Sequence, residues 1–504
     1  MIKYNIKIYN TYFTLQSYVG ENALSNVKEK LTTYTWVYNR VYRRKVKNKD
    51  KEFFSYDGRQ KLLRFPKGVL RDTLITLGNC GITKDNINIT DHSKDIRGLP
   101  LGLEFTPDMT LYDYQAKYVE AILENAKTSF SSLVELHTGG GKTAISVYTL
   151  CKMNMRVAVL VSPRFLDKWI EDFKKLTDIE DDDICVIKGG EHIRRLMYNP
   201  DPEYKVYIFS TRTCQLFFKE YETPGEYNYP IYPDKLMNHL GVGVLLNDEA
   251  HLEFHAVMKT LTYFNVAHLI GLSATMTSKD PKMLYMHRLV YPDSSRIANI
   301  VKMEEYITLY PIAYNIGSMQ HIKWSQSQGY NHVLFEQSIM KNSVLLRDYI
   351  NMIIHYVNEG YIGRRAEGDR MLIYCASIAF ATVLANKLAE VYPELDVRRY
   401  TQDDPYVNIM DADISVTSLG KASTGYDIQN LITVLMTNSV DSPATNRQAF
   451  GRLRNLKGKE MRFYYTYCKQ IGKQVQYHRS RLELLKPYCK DVNQLYYDTP
   501  LKTK

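Results

Sequence analysis

Long apolar runs, paired cysteines, internal repeats and low-complexity tracts are all missing from this sequence, and each absence excludes a class of protein. No stretch approaches the roughly 18 consecutive apolar residues of a membrane-spanning helix, so no membrane association is expected. The opening residues Met1-Ile2-Lys3-Tyr4-Asn5-Ile6 lack the charged head and apolar block of a secretory signal, and none is expected. The seven cysteines, at 80, 151, 185, 214, 375, 468 and 489, stand singly with no CxxC pair. That argues against a disulfide framework or a zinc ribbon and fits a reducing cytoplasm. Acidic residues are scarce in two places. Residues 1–105 hold 19 Lys/Arg against 10 Asp/Glu, which accounts for nine of the chain's net charge of +10. Within them, residues 40–71 carry 12 basic and 3 acidic side chains, and residues 447–490 carry 12 and 2. Such clusters favour polyphosphate partners through counterion release. A solvated basic face is the plainer reading, and the clustering tips the balance toward nucleic acid.

What is present is a long chain with a changing pattern. At 504 residues, two to four domains are expected. Residues 1–105 mix short alternating runs such as Ile2–Tyr9 with one helical candidate near Asn22–Thr33. This predicts a small basic α+β domain. Thr90–Pro107 is rich in Asp, Gly and Pro and reads as a linker. From about residue 110, helical stretches alternate with the apolar runs Arg156–Ser162, Val206–Ser210, Val242–Leu246 and His268–Leu272. The alternation resumes after residue 300 with Met371–Cys375, Ile414–Thr417 and Ile432–Thr437. Near-continuous Val/Ile/Leu runs are the signature of buried parallel strands. The prediction is an α/β protein with two doubly wound parallel-sheet lobes, residues 106–300 and 301–504. The second should end in a basic helix near Val475–Leu485, with Leu482 and Leu485 inward.

Three motifs carry chemistry. The first, Leu136-His137-Thr138-Gly139-Gly140-Gly141-Lys142-Thr143, follows a short apolar stretch and precedes a helical pattern. Glycines let backbone N–H groups approach a phosphate, and a helix N-terminus favours negative charge. Lys142 would reach the β- and γ-phosphates of ATP, and the Thr143 hydroxyl would hold Mg²⁺. The second, Asp248-Glu249-Ala250-His251, follows the apolar run Gly243–Leu246. Ligands of α/β sheets bind at the C-terminal ends of strands, so Asp248 would bind Mg²⁺ and Glu249 would polarise the attacking water. A zinc site at His251 and His255 is the weaker alternative, because no HExxH glutamate accompanies them. The third, Gln448-Ala449-Phe450-Gly451-Arg452-Leu453-Arg454, offers forked, permanently charged donors suited to a γ-phosphate. Alone it would be an exposed basic helix. The order of the three motifs gives it meaning.

With these residues in that order, the chain resembles superfamily 2 helicases of the DEAH-motif kind over residues 106–490. The resemblance implies two RecA-like lobes, ATP hydrolysis and a nucleic-acid partner. It adds Tyr112 and Gln115 as adenine contacts, with Thr138, Gly139, Gly140, Gly141, His251, Gly425 and Asp427 also near nucleotide. Ser162, Pro163, Arg164, Ser210, Thr211, Ser377, Thr417 and Ser418 would grip a strand's backbone, and Ser273 with Thr275 would couple the two activities. The family spaces its last two arginines three apart. Here they are two apart, so either Arg452 or Arg454 can be the arginine finger. A narrower likeness, through Tyr56–Arg64, Phe65–Gly68, Lys188–Gly190 and Asn247, is to phage UvsW-type helicases. It implies a DNA-binding N-terminal domain, with Arg43, Arg44 and Lys45 as contacts, and a single-chain motor that remodels branched DNA in phage-type recombination, replication and repair, in the host cytoplasm. An RNA-directed or transcript-releasing helicase is the alternative within the family. A non-catalytic binding protein with a decayed motor, or a translocase subunit of a restriction or packaging complex, are readings of other classes.

Overall fold

The computed structural model describes residues 1–503 except 40–43, 137–138, 200–202, 274–275, 277–279, 299, 301–304, 327–328 and 420–427. The chain forms two compact units, Met1–Leu136 with Gly141–Val301, and His137–Gly140 with Lys302–Lys504. No helix among the described residues is long and apolar enough to cross a membrane.

Seven strands open the first unit: β1 (Tyr4–Ile8), β2 (Tyr12–Ser17), β3 (Thr32–Asn39), β4 (Arg44–Glu52), β5 (Ser55–Asp57), β6 (Leu62–Pro66) and β7 (Ile87–Asp91). Five of them form a sheet in the order β5-β6-β2-β1-β7, antiparallel except for the β1–β7 pair. Among the described residues β3 and β4 pair only with each other. The helix expected near Asn22–Thr33 is shorter, a 3₁₀ turn at Asn22–Leu24 and a helix at Ser25–Lys30. It stops because Thr32-Thr33-Tyr34-Thr35 is a β-branched and aromatic run that favours extended backbone.

The rest of this unit is a parallel sheet: β8 (Ser131–Glu135), β9 (Val157–Val161), β10 (Ile184–Ile187), β11 (Val206–Ser210), β12 (Val244–Asn247), β13 (His268–Ser273) and β14 (Arg296–Ala298), in the order β10-β11-β9-β12-β13-β8-β14. Strand β9, Val-Ala-Val-Leu-Val, is wholly buried and feeds two cores by alternation. Val157, Val159 and Val161 join Trp169, Phe173 and Ile122 on one face. Ala158 and Leu160 belong on the other face to a cluster that also holds Phe13, Leu15, Phe65 and Leu77. The N-terminal sheet and the first parallel sheet therefore share one core. A buried ion pair reinforces the junction: Arg64 meets Asp57 at 2.9 Å, and the Tyr221 hydroxyl donates to Asp57 Oδ2 at 2.9 Å. Burial opposes the Arg64 charge, but Tyr12, Asp234, Tyr263 and Asp57 more than offset it, and its pKa is raised. At Gly68 the two parts touch through backbone, since an added Cβ would lie 2.5 Å from the Leu289 carbonyl oxygen. The expected linker is stitched down too. The Leu99 N–H donates to Gly241 at 2.7 Å, and Leu101 and Leu103 are buried beside Tyr118.

The second unit is also an α/β lobe. Its strands are β15 (Ile307–Ile316), the ribbon β16 (Ser325–Gln326) and β17 (Gly329–Tyr330), β18 (Arg370–Cys375), β19 (Val397–Tyr400), β20 (Ile414–Ser418), β21 (Leu431–Met436), β22 (Met461–Cys468), β23 (Cys489–Val492) and β24 (Leu495–Leu501). The sheet runs β19-β20-β18-β21-β22-β15-β23, parallel throughout, with β24 also on β15. The basic C-terminal helix is Gly472–Leu485, with Leu485 buried and Leu482 against the core. The two doubly wound lobes and the α+β N-terminal part agree with the fold class expected.

Candidate functional site

Strand order builds the site. Strand β13 lies between β12 and β8, so the C-terminal ends of these three strands are neighbours. The Leu136 N–H donates to the Ser273 carbonyl at 3.1 Å and the Ala250 N–H to Leu272 at 2.8 Å, tying the three ends together. After β8 the chain takes left-handed backbone at Gly139 (φ 89°) and Gly141 (φ 79°), which favours glycine. The Gln115 amide sits where a Cβ on Gly141 would point. Lys142 opens the helix Lys142–Met153, and its Nζ donates to the Leu136 carbonyl at 3.0 Å. Thr143 follows in the first turn, half-buried, and Gly140 is buried. Gln115 Oε1 accepts from the Tyr112 N–H at 3.0 Å, while the Tyr112 ring is 69% exposed and stacks on Tyr114.

After β12, Asp248 Oδ1 accepts from the Glu249 N–H at 2.9 Å and Oδ2 from the Trp169 indole at 3.0 Å. Glu249 has φ 49°, uncommon for a residue with a side chain and a form of strain met at functional sites. His251 Nδ1 lies 3.0 Å from Ser273 Oγ and 3.4 Å from Glu249 Oε2. Burial, with Lys142 adding to it, pushes the His251 pKa down to about 4, so the ring is neutral at pH 7. A zinc site is not assembled: His255 Nε2 is bound to the Glu52 carbonyl at 2.7 Å, and no metal-holding group of three His/Cys/Asp/Glu occurs among the described residues. The donor set does suit magnesium, since a hydroxyl and a carboxylate offer only hard oxygen ligands. The glycine loop, helix start and ammonium likewise suit a polyphosphate.

In the second unit, Gln448 is part exposed in the last turn of the helix Pro443–Phe450. Arg452 is buried, 3% exposed, beside the Tyr374 phenol of β18, whose pKa is raised by burial and partly drawn back by that arginine. Arg454 is part exposed and donates to the Gly451 carbonyl.

Residues 108–278 match the family model described as "Type III restriction enzyme, res subunit". The match covers about a third of the chain and supports an ATP-dependent helicase. Among solved structures, Saccharomyces cerevisiae Dbp5 bound to RNA and ADP BeF3 is similar at 14% identity, over 78% of this chain and 95% of that one, with a TM-score of 0.47. No curated protein matches the chain.

The expected strand contacts fall into two groups. Pro163, Arg164, Arg44 and Lys45 are exposed, and Ser162 and Ser418 are partly so. Four other hydroxyls are already engaged. Ser210 Oγ accepts from the Thr213 N–H at 3.0 Å as a helix cap, and the Thr211 hydroxyl donates to Glu253. Ser377 Oγ donates to Glu336 at 2.9 Å, and the fully buried Thr417 hydroxyl donates to the Tyr400 carbonyl at 2.6 Å. Ser210, Thr211 and Thr417 are buried and Ser377 is partly so, and buried polar groups are nearly always bonded inside the protein, so these bonds hold turns and strands in shape. Arg43, Thr138, Thr275, Gly425 and Asp427 lie outside the described residues. Two groups of residues at the site were missed in the sequence. Trp169 reaches Asp248 from 79 positions away. Glu135 binds Arg296 at 2.8 Å and accepts from the Met276 N–H at 2.8 Å, steadying the chain just beyond Ser273. Neither belongs to a local motif, so no signal marked them.

Proposed function

We propose that this motor acts on DNA and unwinds or branch-migrates forks and four-way junctions. The observation that favours this reading is the exposed, lysine-rich hairpin β3–β4, which belongs to the same compact unit as Lys142 and the Asp248–His251 turn. Arg44, Lys45, Lys47, Lys49 and Lys51 all face solvent there. A basic surface fused to the motor's first lobe can hold duplex phosphates while the motor tracks one strand, and phosphate contacts position without reading sequence.

In this reading Lys142 and the N–H groups of 139–143 hold the β- and γ-phosphates. Thr143 and Asp248 would hold magnesium, which would supply charge neutralisation at the phosphates. Glu249 orients the attacking water and takes its proton. Tyr112 and Gln115 hold adenine. His251, neutral and bonded to Ser273, passes the state of the nucleotide to the segment after β13. Arg454, or Arg452 in its place, brings positive charge to the γ-phosphate during turnover, with Gln448 beside it. The test is ATPase stimulation by four-way junctions, forks, linear duplex, single strands and RNA, compared at one salt concentration. Branched DNA should stimulate most and RNA least. Equal stimulation by RNA overturns the assignment to DNA, and indifference to branching overturns the assignment to junctions.

A further inference from the structure

The hairpin β3–β4 has two different faces. Its register sets Tyr34 opposite Lys49 and Trp36 opposite Lys47. Directly opposed residues share a face and alternate residues repeat it. Tyr34, Trp36, Lys45, Lys47 and Lys49 therefore line one side as an aromatic column beside a lysine column. Trp36 is 68% exposed, while Trp169 is 0% exposed. A large ring left in water is the informative exception among tryptophans. Among the described residues no third strand pairs with the hairpin. Its root is fixed to the first lobe, because Lys282 on the helix Pro281–Val290 donates to the Thr32 carbonyl at 2.8 Å and lies 5.2 Å from the centre of the Tyr34 ring. Lys47 lies 3.7 Å from the same ring centre and 3.5 Å from Glu29 Oε1, and Lys49 pairs with Glu52 at 2.7 Å. Exposed pairs of this kind contribute little and exchange readily for a phosphate.

We infer that the Trp36 face is a stacking platform for an unpaired nucleic-acid strand, an inference that rests on the DNA-motor reading above. Lysines alone would serve duplex and single strand alike. The ring decides between them. Inside a duplex only base edges reach a groove, whereas an unpaired base offers its whole face, and stacking on an aromatic side chain tolerates any sequence. At a fork or junction this platform holds the strand that pairing has released, with the lysine column on its phosphates.

The test is binding of a labelled oligothymidylate and of a blunt duplex of equal length by the full chain and its variants, at two salt concentrations. Trp36→Ala should weaken single-strand binding about tenfold, within the range for one lost base stack. Duplex binding should change less than about twofold, and Trp36→Phe should restore most of the loss. Lys45→Ala with Lys49→Ala should weaken both ligands and flatten the salt dependence. The inference is overturned if Trp36→Ala binds the single strand as the parent does, if it loses both ligands equally, or if Phe does not rescue. If the parent chain binds neither oligonucleotide and its ATPase ignores both, the DNA-motor reading itself has failed. If it binds and is stimulated while Trp36→Ala is indistinguishable, only the platform has.

Discussion

Arg452 and Arg454 are separated by one residue and sit in different surroundings. Arg452 is sealed beside Tyr374 and Arg454 is part exposed. A guanidinium that meets a γ-phosphate during turnover must be able to reach it, which favours Arg454. Arg454→Ala should lower kcat by about 10³-fold or more, as loss of an arginine finger does, with the melting temperature unchanged. Arg452→Ala should instead lose stability, because it empties a buried site. Steady-state kinetics beside thermal melts separate the two, and a larger kcat loss at Arg452 with an unaltered melt reverses the assignment. Lys142, Asp248 and Glu249 were legible in the sequence because the phosphate loop and acidic turn are short local patterns set after apolar strands. The side chains that hold them were not: Trp169 and Glu135 act through tertiary contacts that no spacing encodes. The same limit hid the burial of Thr417, since a hydroxyl pointing into a sheet reads like one pointing out.

Buried strands such as β9 and β11 were legible as unbroken apolar runs, and their ends fell within a residue or two. Strand β22, Met-Arg-Phe-Tyr-Tyr-Thr-Tyr-Cys, was not, because arginine and four hydroxyl-bearing side chains interrupt its hydropathy. All eight residues are buried, and Arg462 is kept there by Glu460. The stretch after β7 shows the opposite case. Its Asp, Gly and Pro content predicts a linker, and within it Leu101 and Leu103 are buried anchors that the composition did not mark. The contact at Gly68 belongs to this scale, because it sets how closely the N-terminal part approaches the helix Pro281–Val290. Gly68→Ala forces a methyl onto the Leu289 carbonyl and should destabilise the first unit by about 1–3 kcal/mol, as overpacking does. Urea denaturation measures this, and an unchanged midpoint would show that the two parts separate without cost.

At the scale of the molecule, several histidines are buried neutral. Burial pushes His251, His268, His287 and His478 each down to about 4. An unfolded histidine titrates near 6.5, so between pH 6.5 and 4 the unfolded chain binds more protons than the folded one. The contribution of these groups is complete above pH 6.5 and is lost as pH falls toward 4. Glu336 acts in the opposite sense. Burial raises its pKa to about 7, against hydrogen bonds from Ala376, Ser377 and Thr437, so its contribution is lost as pH rises from about 4.5 through 7. Burial also lowers His255 and His332, while Asp172 is raised like Glu336. The histidines outnumber the opposing carboxyls, so denaturation midpoints should fall steadily from pH 6.5 to 5, and a flat profile would contradict the burial of these rings.

The central claim is that one nucleotide site, built at the C-terminal ends of β8, β12 and β13, drives a nucleic-acid motor. Lys142→Ala addresses it most directly, with hydrolysis and DNA binding measured on the same preparation. The account predicts that DNA-stimulated ATP hydrolysis disappears while DNA affinity stays within about threefold of the parent, since loss of one non-contacting lysine removes no phosphate contact on the strand. Hydrolysis that survives the substitution would contradict it.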